Sequence, residues 1–354
     1  MNQRLPVIVV SGFLGSGKTT FLRYLLRQTN KKFGLLINEF GEVGIDGDLI
    51  RNCQDCNDDS STNIIELNNG CLCCTVQDDF IPAINSLLKK NLDIDAIIIE
   101  TSGLALPIPL LKALNWPDIR ASIYLDIVIG IVNGEAMLDG LPINNLSEIK
   151  NQYKGTNIID HETPLEELFQ EQLEVSDIVI ISRSDLLKDE HFNLIEKKIR
   201  EKIDFKVPII KSFNGETNLG FIFDSGIQKY NHQIFIDDNH DHNHTEIFSD
   251  SFKCNYFLDK KYFDIEMRNI LKECNFLRIK GRVWIPGKKF PLQVQIVGKK
   301  INTWFESASV NAWKPENQAG MELITISLEN NDFQFLKDKI KEKFNVSHDP
   351  KFIF

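Results

Sequence analysis

Three cysteines occupy four positions of the sequence: Cys71, Cys73 and Cys74 lie in the stretch NNGCLCCTVQDDF. A disulfide, a buried turn of small sulfur side chains or a metal site could each account for them. The chain holds seven cysteines, an odd number, and the adjacent Cys73 and Cys74 can bridge each other only with severe strain. A metal site and a buried turn therefore remain, and closely spaced thiolates suit tetrahedral Zn²⁺ or Co²⁺.

A glycine-rich stretch near the N-terminus, GFLGSGKTT (Gly12–Thr20), matches the phosphate-binding pattern G-x-x-x-x-G-K-[ST] in full. It follows a predicted strand and opens a predicted helix, which is the context that the pattern requires. Backbone N–H groups of such a loop surround phosphate oxygens, and the helix N-terminus adds its positive dipole end. We expect Lys18 to reach the β- and γ-phosphates and the Thr19 hydroxyl to ligate Mg²⁺. The candidate nucleotide ligands here are Gly12, Gly15, Ser16, Gly17, Lys18, Thr19 and Thr20.

A second phosphate-sensing segment is IIIETSG (Ile97–Gly103), an apolar strand pattern that ends in a carboxylate. Glu100 can orient Mg²⁺ or its water, and the Gly103 N–H can contact the γ-phosphate. Together with the P-loop, this segment is a strong signal for a nucleotide site, whereas alone it is a weak one.

Between these segments lies INEFGEVGIDG (Ile37–Gly47), which combines three carboxylates with three glycines. This composition suits a mobile loop near Mg²⁺. We take Asp46 as a candidate catalytic residue beside Lys18 and Glu100. Either Glu39 or Glu42 is a candidate fourth ligand for the metal site of the three cysteines.

The stretch SRSD (Ser182–Asp185) bears on the identity of the base. It follows a strand pattern, at the place where GTPases carry an Asn-Lys-x-Asp signature. Asp185 can accept both guanine N1–H and N2–H, a pair of donors that adenine does not offer, and the alkyl stem of Arg183 can cover the base. Ser182 departs from the usual Asn. The alternative is an ordinary strand-to-helix loop with an Asp N-cap.

The elements that must position these residues follow an alternating pattern. Short apolar runs predict strands buried on both faces, at Val7–Val10, Phe33–Ile37, Ala96–Glu100, Asp126–Val132, Asp177–Ser182 and Val207–Lys211. Amphipathic stretches predict helices at Thr19–Gln28, Phe80–Lys90, Pro164–Leu173 and Asp189–Ile203. This alternation predicts an α/β fold, a P-loop NTPase domain with a mostly parallel sheet and helices on both faces.

The pattern changes after about residue 223. The polar stretch 231–250, which includes DDNHDHNH, has neither strand nor helix periodicity, whereas the patterns beyond it alternate like half-buried strands and are flanked by helical segments. They predict a small α+β domain. We therefore expect a P-loop domain at 1–225, a His-rich linker at 226–250 and a C-terminal domain at 251–354.

Composition and charge narrow the class of protein. Among 354 residues, 42% are hydrophobic and 25% are charged, as in ordinary globular proteins. The net charge of −10 argues against a nucleic-acid partner or an anionic membrane, since both favour a basic face. We find no leader pattern and no apolar stretch near the roughly 18 residues of a membrane span. We therefore expect a cytoplasmic protein with reduced thiols.

Several motifs together resemble one family. The P-loop, N-E-F-G-E-x-G-x-D, E-L-x-N-G-C-x-C-C, E-T-S-G-L-A-x-P and a small C-terminal domain after a His-rich linker are similar to the CobW family of metal-handling GTPases. The resemblance covers nearly the whole chain; it departs from the family pattern at Ser182, Arg183 and Asn133. It implies a GTP-hydrolysing metallochaperone that uses Mg²⁺, binds Co²⁺ at the C-x-C-C motif and delivers it to cobaltochelatase for cobalamin biosynthesis.

Other functions are compatible with the same residues. Zn²⁺ generally binds thiolate sites more tightly than Co²⁺, so a chaperone that supplies a zinc enzyme is the first alternative. A nucleotide-dependent small-molecule kinase with a structural zinc and a passive metal buffer are two more. Cys53 and Cys56 form a further C-x-x-C that is either a metal site or a polar loop. His240, His242 and His244 suit loose metal capture or a flexible spacer.

Overall fold

The computed structural model describes residues 4–28, 31–38, 63–67, 80–89, 94–138, 165–204, 207–219, 222, 248–256, 259–274, 276–297, 300–308, 312–315 and 318–344. The chain divides into two compact units between Thr217 and Asn218. The first unit carries the P-loop, and the second carries the C-terminal strand patterns.

Strands and helices alternate along the described part of the first unit. Its strands are β1 (Leu5–Ser11), β2 (Phe33–Asn38), β3 (Asn63–Leu67), β4 (Ala96–Glu100), β5 (Ile123–Asn133), β6 (Ile178–Ser182) and β7 (Ile209–Lys211). Its helices are α1 (Lys18–Arg27), α2 (Ile81–Lys89), α3 (Pro107–Ala113), α4 (Gly134–Leu138), α5 (Leu165–Glu174) and α6 (Asp189–Arg200), with a 3₁₀ turn at Ser184–Leu186. Of these strands, β3 was not predicted from the sequence.

The seven strands form one sheet in the order β3-β2-β4-β1-β5-β6-β7, and every recorded pairing is parallel. The strands are continuous apolar runs because helices cover both faces, so β4 and β6 are buried at every position. Side chains of α2 and α3 join one hydrophobic cluster, and those of α5 and α6 join another. The predicted α/β fold with a mostly parallel sheet is confirmed.

The strand register brings the ends of four strands to one edge of this sheet. Val10 of β1 is paired with Glu100 of β4 and with Ile129 of β5, while Asn133 of β5 is paired with Ser182 of β6. In open parallel sheets, ligands bind at the carboxyl ends of the strands. The sheet therefore gathers at its ligand-binding edge residues that lie far apart in the sequence.

The second unit is a separate antiparallel sheet with helices, as predicted. Its described elements are β8 (Phe248–Cys254), α7 (Lys260–Ile270), β9 (Phe276–Trp284), β10 (Leu292–Val297), β11 (Lys300–Phe305), β12 (Gly320–Ser327) and α8 (Asn330–Phe344). The strand order is β11-β10-β9-β12-β8. The carboxylate of Asp259 caps α7 by accepting hydrogen bonds from the N–H groups of Lys261 and Tyr262. β12 pairs with both β8 and β9.

Two ionic groups are buried in the described part of this unit. Glu322 on β12 is 3% exposed, and its carboxylate lies 3.1 Å from Lys253 Nζ and 3.5 Å from a guanidinium nitrogen of Arg282. Arg278 on β9, which is 2% exposed, donates a hydrogen bond of 3.0 Å to the carbonyl oxygen of Ile222. This bond ties the start of the second unit to the central strand of its sheet.

The predicted linker, with His240, His242 and His244, lies outside the described residues apart from its last three positions. Those positions belong to β8, which begins at Phe248. The boundaries at 225/226 and 250/251 stay a prediction. Over the described ranges, no helix is long and apolar enough to cross a bilayer.

Replacing Phe263 by alanine should destabilise the second unit by about 3–5 kcal/mol, because its ring is fully buried in the hydrophobic core. Three of the four tryptophans, Trp284, Trp304 and Trp313, lie in this unit, so tryptophan fluorescence during urea unfolding reports on it. Ile265 on the same helix is 47% exposed, and Ile265→Ala should change the unfolding free energy by no more than about 0.5 kcal/mol. Equal losses in both variants would contradict the assigned helix face.

Candidate nucleotide and metal site

The predicted P-loop connects β1 to α1. Gly17 is the N-cap residue of α1 and has a φ of 98°, a conformation that glycine adopts at little cost and other residues do not. Ser16 N–H donates to the carbonyl oxygen of Phe13 and closes the turn. Gly12 and Gly15 lie in the same loop, and Thr19 and Thr20 lie in the first turn of α1. The loop and the helix start thus have the arrangement that the motif predicts.

Lys18 is folded onto the loop that precedes it. Its side chain is buried, and Nζ donates hydrogen bonds to the carbonyl oxygens of Gly12 at 2.9 Å and of Phe13 at 3.0 Å. The ammonium charge is therefore held at the loop itself, where a phosphate group bound by the loop amides would interact with it.

Thr19 and Glu100 meet although 81 positions separate them in the sequence. The Thr19 hydroxyl donates to Glu100 Oε1 at 3.2 Å, and Glu100 is 4% exposed at the end of β4. A hydroxyl and a carboxylate side by side are the hard oxygen donors that Mg²⁺ prefers. The two residues fit the predicted magnesium site.

Gly103 lies directly against the P-loop. A Cβ atom at this position would overlap the backbone N and Cα of Leu14, so no larger residue allows the same approach. Gln172 of α5 also holds this segment: its Nε2 donates to the carbonyl oxygens of Gly103 at 3.2 Å and Ala105 at 3.3 Å. We did not predict Gln172 from the sequence. The available signal was a polar residue on the apolar face of α5, one position before Leu173.

Two further side chains contact the carbonyl oxygens of the P-loop. Ser182 Oγ donates to Ser16 O at 2.7 Å and lies 3.2 Å from Val132 O. Asn133 Nδ2 donates to Gly15 O at 3.4 Å, and its Oδ1 accepts from the N–H of Ala136 at the start of α4. Both side chains stand where the sequence departs from the family pattern, and both have a structural partner in the loop.

Arg183 and Asp185 lie at the 3₁₀ turn that follows β6. Arg183 has a φ of 55° and forms an ion pair of 2.8 Å with Glu135. Asp185 lies in the 3₁₀ turn, and its Oδ1 accepts from the N–H of Asn214 at 3.4 Å. Since the N-cap of α6 is Lys188, Asp185 does not cap that helix. Its carboxylate instead joins the loop after β6 to the loop after β7.

A cavity of about 220 Å³ lies between these loops and α1. It is lined by Gly17, Thr20, Phe21, Ile131, Ile180, Ser182, Arg183, Ser212, Asn214 and Gly215. The hydroxyl of Ser212 is buried there and has no hydrogen-bond partner among the described residues. The loop after β7 was not predicted as part of the site, because the stretch SFNG carries no charged or metal-ligating residue.

The turn that follows β7 is fixed to α1. A Cβ atom at Gly215 would meet Thr20 Cγ2 at 2.7 Å, so the turn packs closely on the helix start. One turn further on, burial raises the pKa of Tyr24 to about 12, with a further increase from the Glu216 carboxylate, and a hydrogen bond to the Thr217 backbone acts in the opposite direction. The Tyr24 hydroxyl therefore stays protonated at neutral pH.

The predicted transition-metal site lies outside the described residues. This applies to Cys71, Cys73, Cys74, Glu39, Glu42 and Asp46, and also to Cys53 and Cys56. Within the described residues, no three His, Cys, Asp or Glu side chains form a metal-binding group. Burial raises the pKa of Cys254 to about 11, so this thiol stays protonated and is a poor metal ligand.

Comparison with known proteins identifies the family. The model of the CobW/HypB/UreG nucleotide-binding domain matches residues 6–211, and that of the cobalamin synthesis protein cobW C-terminal domain matches residues 249–345. The chain belongs to the CobW family. This confirms the family resemblance drawn from the sequence motifs.

The similarity to individual CobW-family proteins extends over nearly the full length of the chain. The zinc chaperone CobW of Sinorhizobium sp is 35% identical over 93% of this chain and 94% of its own length. The zinc chaperone CobW of Pseudomonas aeruginosa is 35% identical over 92% of this chain and 88% of its own length. The Zn(II)-bound YjiA GTPase from E. coli aligns with 97% of this chain and 99% of that structure, at 22% identity and a TM-score of 0.41.

Replacing Gln172 by alanine should loosen the segment that contacts the P-loop. The carbonyl oxygens of Gly103 and Ala105 would lose their donor, which should cost about 1–3 kcal/mol of unfolding free energy and weaken MgGTP binding measured by calorimetry. The matched control is Gln170→Ala, since Gln170 is exposed on the same helix and its one side-chain hydrogen bond within the described residues is to Glu174. Unchanged MgGTP affinity in the Gln172 variant would show that this segment does not depend on α5.

Proposed function

We propose that the protein is a GTP-hydrolysing metallochaperone, which binds a divalent transition metal at Cys71, Cys73 and Cys74 and delivers it to a client metalloenzyme. The observation that carries the nucleotide half is the contact of Thr19 with Glu100 beside a complete P-loop. Full-length similarity to two proteins named zinc chaperones supports the metal half.

We favour Zn²⁺ as the cargo. The named relatives support zinc, and thiolate sites bind Zn²⁺ more tightly than Co²⁺. The second candidate is Co²⁺ with cobaltochelatase as client; the match to the cobalamin synthesis protein cobW C-terminal domain supports it, as does the motif resemblance. With zinc as cargo, the client is a zinc enzyme.

In the proposed GTPase site, the loop amides and Lys18 bind the phosphates and neutralise their charge. Thr19 and Glu100 would hold Mg²⁺, which when bound supplies positive charge to the β- and γ-phosphates. The Gly103 N–H contacts the γ-phosphate. Glu100 and Asp46 are the candidate groups for orienting the attacking water.

We propose that nucleotide and metal binding are coupled. In the sequence, the cysteines and Glu39 or Glu42 lie between the P-loop and Glu100, so the segment that carries them starts and ends at groups that bind phosphate or Mg²⁺. GTP would favour the arrangement in which the thiolates, with one of the two glutamates, ligate the metal. Hydrolysis would release that arrangement and the metal with it.

The guanine preference should depend on Asp185. Asp185→Ala leaves the N1–H and N2–H donors of guanine unpaired, which should reduce the preference for GTP over ATP by about 2–4 kcal/mol. Competition binding against a fluorescent guanine nucleotide measures it. The control is Asp189→Ala, because Asp189 is 94% exposed and pairs only with Lys211 among the described residues. A wild-type protein that binds ATP as tightly as GTP would refute the base assignment.

Metal affinity should differ between nucleotide states. We expect Co²⁺, used as a spectroscopic probe for the thiolate site, to bind at least roughly tenfold more tightly with Mg²⁺ and a non-hydrolysable GTP analogue than with Mg²⁺–GDP, a coupling of about 1.4 kcal/mol. Changing Cys73 and Cys74 to alanine should remove the charge-transfer bands. Lys18→Ala should keep the bands but lose the nucleotide dependence.

Two outcomes of this titration would change the proposal. Equal Co²⁺ affinity in both nucleotide states would leave a passive metal buffer next to a GTPase. Bands that survive the double cysteine substitution would place the metal at Cys53 and Cys56 or at the His240–His244 stretch. The cargo itself is decided by metal analysis of protein purified without chelator from cells supplied with both metals: we expect zinc, and cobalt would restore the cobaltochelatase assignment.

A further inference from the structure

The P-loop is held by side-chain donors on its carbonyl side. Ser182 Oγ lies 2.7 Å from Ser16 O, and Asn133 Nδ2 lies 3.4 Å from Gly15 O. Ser182 is 6% exposed and Asn133 is 4% exposed. The two residues end neighbouring strands, β6 and β5, so the sheet itself positions both donors.

The contact of Ser182 fixes the direction of one amide of the loop. The peptide bond between Ser16 and Gly17 is planar and trans, so a carbonyl that points to Ser182 makes the Gly17 N–H point the opposite way. The N–H groups at a helix N-terminus are the groups that bind phosphate. Ser182 thereby determines the direction in which Gly17, the N-cap residue of α1, presents its N–H group.

The same contact leaves Ser182 no proton to donate to the base. A serine hydroxyl has one proton, and that of Ser182 is directed at two backbone oxygens, Ser16 O and Val132 O. The acceptors on the base, such as guanine N7 and O6, would compete with these buried oxygens for it. We infer that Ser182, with Asn133 as the weaker second donor, is a positioning residue of the phosphate site and not a base-recognition residue.

This inference rests on the proposed nucleotide-binding function and concerns what replaces the usual Asn of the GTPase signature. The strand end that carries Ser182 packs directly beneath the loop, because a Cβ atom at Gly17 would lie 3.5 Å from Ser182 Cβ. The adjoining cavity of about 220 Å³ also touches Ser182. It offers room for the additional methyl group of threonine at this position.

Inorganic triphosphate separates the two roles, since it binds the loop but has no base. Calorimetry should show that Ser182→Ala weakens the binding of MgGTP and of Mg²⁺–triphosphate by the same factor, roughly three- to tenfold. Ser182→Thr, which keeps the hydroxyl, should restore both affinities. The matched control is Ser184→Ala, because Ser184 is equally buried and its hydroxyl donates over 2.7 Å to Ile181 O, outside the loop.

Three results would overturn the inference. They are a loss confined to MgGTP, unchanged affinity for both ligands in Ser182→Ala, and an equal loss in the Ser184 control. Should Ser182→Ala fail to fold, Asn133→Ala tests the same idea: it removes the donor to Gly15 O without adding a charge, so it should weaken MgGTP and Mg²⁺–triphosphate by the same factor. A wild-type protein that binds no MgGTP would instead refute the proposed function.

Discussion

A loop that binds an anion through its backbone N–H groups must have its carbonyl groups satisfied from another direction. Buried carbonyl oxygens without partners are costly, and they would also repel phosphate. In the described P-loop, Lys18 covers the carbonyls of Gly12 and Phe13, Asn133 that of Gly15 and Ser182 that of Ser16. These donors come from helix α1 and from the ends of strands β5 and β6, and most of the site geometry follows from their positions.

The parallel sheet brings these side-chain donors to the P-loop. Because β4, β1, β5 and β6 are neighbours in the same direction, their last residues reach one edge and surround the loop. Helix α5 adds a further donor. Gln172 donates hydrogen bonds to the carbonyl oxygens of Gly103 and Ala105 and so holds the segment after β4 against Leu14. The geometry of the P-loop and of the segment after β4 therefore depends on the packing of the sheet and of α5.

Local motifs explain what could be predicted from the sequence. The P-loop, the strand that ends at Glu100 and the α/β class depend on residue types within a few positions of each other, and the contact of Thr19 with Glu100 agrees with the predicted magnesium site. The positions of Gln172, Ser182 and Asn133 depend on contacts 69, 166 and 118 residues away in the sequence. No periodicity encodes such contacts, and from the sequence alone Ser182 and Asn133 were only departures from a family pattern.

The hydrogen bond from Arg278 to Ile222 has a practical consequence for dissecting the chain. A recombinant fragment that begins at β8 would contain every described strand and helix of the second unit but would lack Ile222. In that fragment the buried guanidinium of Arg278 would lose one hydrogen-bond acceptor. Such a loss destabilises a protein more when the buried group is charged than when it is neutral. A stable C-terminal fragment should therefore start at Asn218, although the family match begins only at residue 249.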